Sequence, residues 1–215
     1  MTKPLKIDFV SDVVCPWCVI GLGGLEEALR RVGDLVEAEI TLQPFELNPD
    51  MPPEGQNIGE HIFEKYGATP EQSAGNREAI RARAAEVGFT IATTAESRIY
   101  NTFDAHRLLH WAGLKGLQLP LKKALFEAYF TNGRNPGDHE VLVEAAAGVG
   151  LDPTEAREVL ESDRFAGHVR NLERQWYEAG IASVPSIIIN ERYLISGGQP
   201  ADAFERALRK IASEV

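Results

Sequence analysis

Residues 11–18 read Ser11-Asp12-Val13-Val14-Cys15-Pro16-Trp17-Cys18. Two patterns meet in this segment. Before it, Leu5-Lys6-Ile7-Asp8-Phe9-Val10 alternates apolar and polar and then runs apolar, which predicts a strand. After it, Leu22, Leu25, Leu29 and Val32 recur at helical spacing until Gly33-Asp34 ends the stripe. The two cysteines therefore sit where a strand hands over to a helix. Val36, Ala38, Ile40 and Leu42 alternate again and predict a second strand. Strand, helix and strand in this order imply a parallel crossover.

From Pro44 the texture changes. Pro49, Pro52 and Pro53 among Asn48, Asp50 and Gly55 mark a loop, and helical patterns follow over 58–66, 70–87, 97–113, 119–131, 138–148, 153–162 and 164–179. Gly88, Gly133, Gly150 and Gly180 stand where helices need to stop, and Asp138 and Asp152-Pro153 where they start. The β-branched run Ile187-Ile188-Ile189 predicts a buried strand. Asn190-Glu191 turns the chain into a partner strand over 192–195. A last helix places Phe204, Leu208 and Ile211 on one face. The fold class is α/β: a βαβ…ββα domain, 1–44 and 163–215, carrying a large all-helical insertion, 45–162.

Two cysteines so spaced at a helix start can close a small disulfide ring. The first lies where unpaired N–H groups and the positive end of the helix dipole favour a thiolate, and in such motifs the thiol pKa falls to roughly 3.5–7.5. Pro16 fits the first helical position. Exchange proceeds by thiolate attack on a disulfide sulfur through a mixed disulfide. An exposed Cys15 attacks; Cys18, deeper along the helix, resolves. Two other readings stand beside this one. The pair could be half of a zinc site completed by His106 and His110, four apart on one helix, or two idle buried thiols.

The chain has 215 residues, 44% hydrophobic and 25% charged, with net charge −10 and only 2 cysteines. That is globular composition, and it excludes a disulfide-dense secreted scaffold. The negative charge opposes phosphate backbones, so no nucleic-acid partner is expected. No stretch suffices to span a bilayer, so no membrane partner is expected, and Asp8 and Asp12 break the run a signal peptide needs. The expected location is cytoplasmic.

Ser183-Val184-Pro185 precedes the Ile187–Ile189 strand. With an early dithiol, this resembles the thioredoxin fold, in which a cis-proline loop faces the cysteines and exposes backbone for a substrate strand. Four segments in order, SDVVCPWC (11–18), PFELNPDMPPEG (44–55), NTFDAHRLLHWA (101–112) and GIASVPSIIINERYLISGGQP (180–200), resemble the cytoplasmic DsbA-like oxidoreductases of the FrnE type. These are relatives of 2-hydroxychromene-2-carboxylate isomerase and kappa-class glutathione transferase. The resemblance implies exchange on protein disulfides, dithiols or small thiols, with Cys15 as nucleophile, Cys18 as resolving thiol and Pro185 as the cis-proline. It implies no metal and no prosthetic group, with glutathione as the one candidate co-substrate. Glutathione-using relatives bind through backbone beside the cis-proline, an Asn after the second strand and the loop before the last helix. The matching positions here are Val184, Asn48 and Gly198-Gln199, with Gly-Gly-Gln in place of the Ser-Asp pair frequent in those relatives.

Asn101 and His106 have two readings: lining the cleft over Cys15, or helix capping and packing beside Asp104 and Arg107. Trp17, between the cysteines, is read as an apolar substrate rim, and Asp12 as a side-chain cap for its own loop. His61, His139 and His168 are expected in solvent. Gly21-Leu22-Gly23-Gly24 lacks the third glycine of a dinucleotide loop and is read as close packing against the insertion. A glutathione-dependent isomerase or transferase and a non-catalytic chaperone-like or zinc-bound adaptor are the competing functions.

Overall fold

The computed structural model describes residues 2–214. Strand β1 (Lys3–Ser11) is central, with Leu5, Ile7, Phe9 and Val10 all buried. Helix α1 (Pro16–Arg31) returns the chain to β2 (Val36–Pro44), which pairs parallel with β1 from Lys3↔Val36 to Ser11↔Pro44. Strands β5 (Ser186–Ile189) and β6 (Tyr193–Ser196) complete a sheet of order β2-β1-β5-β6, with β5 antiparallel to both neighbours. Their hairpin turns through Asn190, Glu191 and Arg192, the first two at positive φ, with the Arg192 N–H donating to the Ile189 carbonyl. The last helix, α9 (Ala201–Glu214), buries Phe204, Leu208 and Ile211 and packs on α1. The expected βαβ…ββα order is present.

Between β2 and β5 lie β3 (Gln56–Asn57), α2 (Ile58–Tyr66), α3 (Pro70–Glu86), β4 (Arg98–Ile99), α4 (Phe103–Leu114), α5 (Gln118–Phe126), α6 (His139–Gly148), α7 (Pro153–Glu161) and α8 (Ala166–Glu178). Asp138 and Asp152 cap α6 and α7 by accepting two backbone N–H groups each. The helix expected over 97–113 starts only at Phe103. Residues 98–99 are instead captured as a strand against 56–57, and Arg98 also donates to the Glu54 and Gly55 carbonyls. Gly55 is required there: a β-carbon would lie 2.3 Å from the Ile99 carbonyl oxygen. The helix expected over 119–131 gives way to a π turn at Glu127–Thr131.

Buried apolar side chains form one contiguous cluster. It runs from Phe9, Leu25 and Ile187 of the sheet and its helices to Leu108, Leu121 and Leu142 of the insertion. Helix α8 rests on β2. The glycines of α1 divide their work differently from the expectation. Only Gly23 faces the insertion, against Val87; Gly21 meets Pro185 and Gly24 meets the Gln199 carbonyl. Among the described residues no helix is long and apolar enough to cross a membrane.

Candidate active site

Cys15 is the residue before α1. Its extended backbone (φ −93°, ψ 111°) turns the strand-to-helix loop into the first turn, and Pro16 follows at the first helical position. No acidic residue stands in that first turn to offset the positive end of the helix. The Cys15 thiol points at the Val184 carbonyl, with Sγ 3.6 Å from the oxygen. The Val184–Pro185 peptide is cis. Val184 faces the open side, while the Pro185 ring packs behind it, where a β-carbon on Gly21 would lie 3.0 Å from it.

Cys15 is only 3% exposed, not the exposed thiol expected, and it lies on the floor of a cleft of about 820 Å³. One wall carries Trp17 and Val184; the other is built by α2 and α3 through Ile58, Ile62 and Ile80. Trp17 is 39% exposed at the rim. Asn48 lines the cleft and accepts a hydrogen bond from Lys65 Nζ at 2.8 Å. His61, expected in solvent, is half-buried on the same wall.

Cys18 is fully buried beneath Cys15, and both are free thiols. Burial, then the neighbouring Cys15, push the Cys18 thiol well above its usual range, against the opposing influence of Lys122 and the Asp12 backbone. Asp12 is buried too. Its Oδ2 accepts from the Leu47 N–H at 2.8 Å, so it caps the loop after β2 and not its own loop. Its Oδ1 stands 3.4 Å from His106 Nε2, a misaligned contact in which neither atom has a hydrogen-bond partner among the described residues. Burial works against its charge, but His106, the Leu47 N–H and Lys122 outweigh it and hold the carboxyl below its ordinary value.

The structure corrects five further placements. His106 is buried beside Asp12, beneath the dithiol and away from the cleft. Asn101 does not line the cleft; its Oδ1 accepts from the Phe103 N–H at 2.9 Å and its amide donates to the Pro49 carbonyl. Gln199 donates to Ser196 O at 2.8 Å, turned from the cleft. Gly198 packs under the first turn of α1, where a β-carbon would lie 2.7 Å from the Trp17 carbonyl oxygen. His110 stacks on His168 with ring centroids 4.1 Å apart and does not join the cysteines.

Two residues that sequence reasoning did not single out matter here. Glu46 lines the cleft with a side chain only 2% exposed, pairs with Arg170, and keeps Oε2 without a hydrogen-bond partner among the described residues. Burial, then the Glu173 carboxylate, push it up to about 8 against Arg170. Lys122 is 1% exposed, and burial lowers it to about 8 although Cys18, Asp12 and Cys15 all favour its charge. The signal for Lys122 was available: it occupies the buried stripe Leu121, Lys122, Leu125, Phe126 of α5, where an apolar residue belongs.

Comparison with known proteins agrees with this geometry. The family description that matches is the DSBA-like thioredoxin domain, over residues 6–209. A probable DsbA oxidoreductase from Streptomyces coelicolor is 34% identical and superposes with a TM-score of 0.92, covering 98% of this chain and 91% of that one. Two more distant structures share the fold. The cytosolic disulfide reductase DsbM from Pseudomonas aeruginosa, solved with GSH, is 18% identical at TM-score 0.65, covering 95% of this chain and 98% of its own. A 2-hydroxychromene-2-carboxylate isomerase is 14% identical at TM-score 0.73, covering 97% of each chain.

Proposed function

The chain belongs to the DSBA-like thioredoxin domain family, and on that premise we propose that it is a cytoplasmic thiol–disulfide oxidoreductase working through Cys15 and Cys18. One observation carries the reading: Cys15 Sγ sits at a helix N-terminus with no acidic residue in its first turn, 3.6 Å from the carbonyl of the residue before Pro185, with a second thiol directly beneath it. The Cys15 thiolate attacks a substrate disulfide, one substrate sulfur leaves as thiolate, and a mixed disulfide remains. Cys18 then attacks Cys15 Sγ, releases the second substrate thiolate and closes the Cys15–Cys18 disulfide. The Val184 backbone holds the substrate chain and Trp17 its apolar flank. Exchange of this kind needs only thiols and a disulfide, so the mechanism calls on no metal or prosthetic group. Glutathione fits as a small-thiol co-substrate that returns the pair to its reduced state.

Cys15→Ser abolishes insulin reduction and refolding catalysis; full activity in that variant overturns the assignment. Cys18→Ser traps mixed disulfides on Cys15, and an absence of adducts removes Cys18 from the resolving role. The roomy apolar cleft favours a second reading, a glutathione-dependent isomerase or transferase acting on a small organic substrate. That reading makes Cys18 dispensable, so undiminished turnover in Cys18→Ala selects it.

A further inference from the structure

The proposed cycle requires buried Cys18 to lose a proton when it attacks and to regain one when the pair is reduced. The cleft reaches Cys15 but not Cys18. A second cavity, of about 200 Å³, lies between β2 and helices α4, α5 and α8. His106 and Lys122, 3% and 1% exposed, form its buried end. Half-buried His110 lines its middle, and exposed His168 and Thr41 its outer end.

We infer that Lys122 is the proton-transfer partner of Cys18, and that the histidine-lined cavity behind it is the route by which that proton reaches solvent. The inference rests on the dithiol reading above. It also assigns the helical insertion a chemical task, because Lys122, His106 and His110 all lie on its helices α4 and α5, with His168 added from α8.

The surroundings of Lys122 suit the task. Cys18 in the first turn of α1, Cys15 just before that helix and Asp12 in the loop after β1 all lie near enough for their charges to favour its ammonium form. On its own helix the ammonium lies over the Phe126 ring, 5.2 Å from the centroid. From α4, His106 shares the cavity with it and contacts Asp12. Anionic Asp12 thus balances whichever neighbour holds the proton. Burial brings the amine to about 8, a range in which it both accepts and returns a proton near neutrality.

The step balances. The neutral Lys122 amine takes the Cys18 proton, and the thiolate forms an S–S bond with Cys15. The bond between Cys15 and the substrate breaks, with its electron pair leaving on the substrate sulfur. Two electrons pass from the dithiol to the substrate, and the Lys122 ammonium releases its proton into the cavity. Reduction of the pair runs the same path backward.

The test uses rapid quenching with bis(2-hydroxyethyl) disulfide as probe. Adduct formation at Cys15 is read in the Cys18→Ser background and its resolution in chains that keep Cys18. Lys122→Met is expected to slow resolution at least tenfold at pH 7, with a rate that then climbs in proportion to hydroxide. Adduct formation in Lys122→Met/Cys18→Ser stays within threefold of Cys18→Ser. Equal resolution rates and pH profiles, or equal slowing of both steps, overturn the inference. A second measurement needs no variant in the protein observed. In isotopically labelled wild-type protein the Lys122 side chain is expected to titrate near 8 with the dithiol reduced and lower once the disulfide forms. A midpoint indifferent to redox state overturns the inference. If the wild-type chain forms no Cys15 adduct at all, the oxidoreductase reading itself falls, a result distinct from any seen only on changing Lys122.

Discussion

The side-chain amide of Gln118 lies along the backbone of Leu42: Oε1 accepts from the Leu42 N–H at 2.9 Å and Nε2 donates to the Leu42 carbonyl at 3.0 Å. Strand β2 is an edge of the sheet, and this pair of bonds acts as one rung of a missing neighbour. Removing it leaves a donor and an acceptor unpaired in a partly buried place. Gln118→Ala is expected to lose about 1–3 kcal/mol in urea unfolding. Gln118→Glu, which sets a carboxylate against the Leu42 carbonyl, loses more at pH 7 than at pH 4.

Gly198 supports the first turn of α1 from below. A methyl group there meets the Trp17 carbonyl oxygen at 2.7 Å and the Gly21 nitrogen at 3.4 Å, both of them backbone atoms. Gly198→Ala therefore shifts the turn that carries Cys15. The expected result is a stability loss of about 1–3 kcal/mol and at least a tenfold fall in the rate of Cys15 adduct formation, read by rapid quench and thermal melting.

Lys122 costs stability at neutral pH. Its ordinary value of 10.5 falls to about 8 in the folded chain. Between those values the unfolded chain binds more protons, so this group makes stability rise with pH across that window, and below about 8 its penalty is complete. At about 1.4 kcal/mol per pH unit the penalty is about 3 kcal/mol. Lys122→Met is thus expected to be more stable than the wild type at pH 7 by up to that amount, with the gap closing toward pH 10.5 in denaturant titrations. A variant that gains stability while losing the resolving step marks a residue retained for chemistry.

Glu46 has the opposite sign. Its folded value, about 8, lies above the ordinary 4.5. The folded chain holds that proton longer, so the associated stability is complete below about 4.5 and is lost as pH rises through 8. Glu46→Gln is expected to flatten the fall in melting temperature between pH 5 and pH 8.5. An unchanged slope would place the titration elsewhere.

The sheet and its site were legible because strong local signals coincided there. Alternation in β1 and β2, the Ile187–Ile189 run and the dithiol at a strand-to-helix junction all survive folding unchanged. Asp138 and Asp152 read as helix starts because a short carboxylate can do little else so well in that position. The strands β3 and β4 could not be read: two residues each carry no periodicity, and the pairing that defines them joins segments some forty residues apart. Asn101 and His106 belong to a motif whose spacing says they lie near α4, but not which way each turns. The docking of α4 against β2 sends His106 downward to Asp12, and a local turn keeps Asn101 on its own backbone. The walls of the cleft were illegible for a related reason. Ile58 and Ile62 look like core residues in sequence, and only the fold shows them facing empty space.

Helix α2 buries none of its side chains, and Phe63 and Tyr66 are 62% and 68% exposed. Its inner side offers only the half-buried Ile58, His61 and Ile62, so this wall above the sulfur is held by little apolar burial and by the bonds from Lys65 to Leu47 and Asn48.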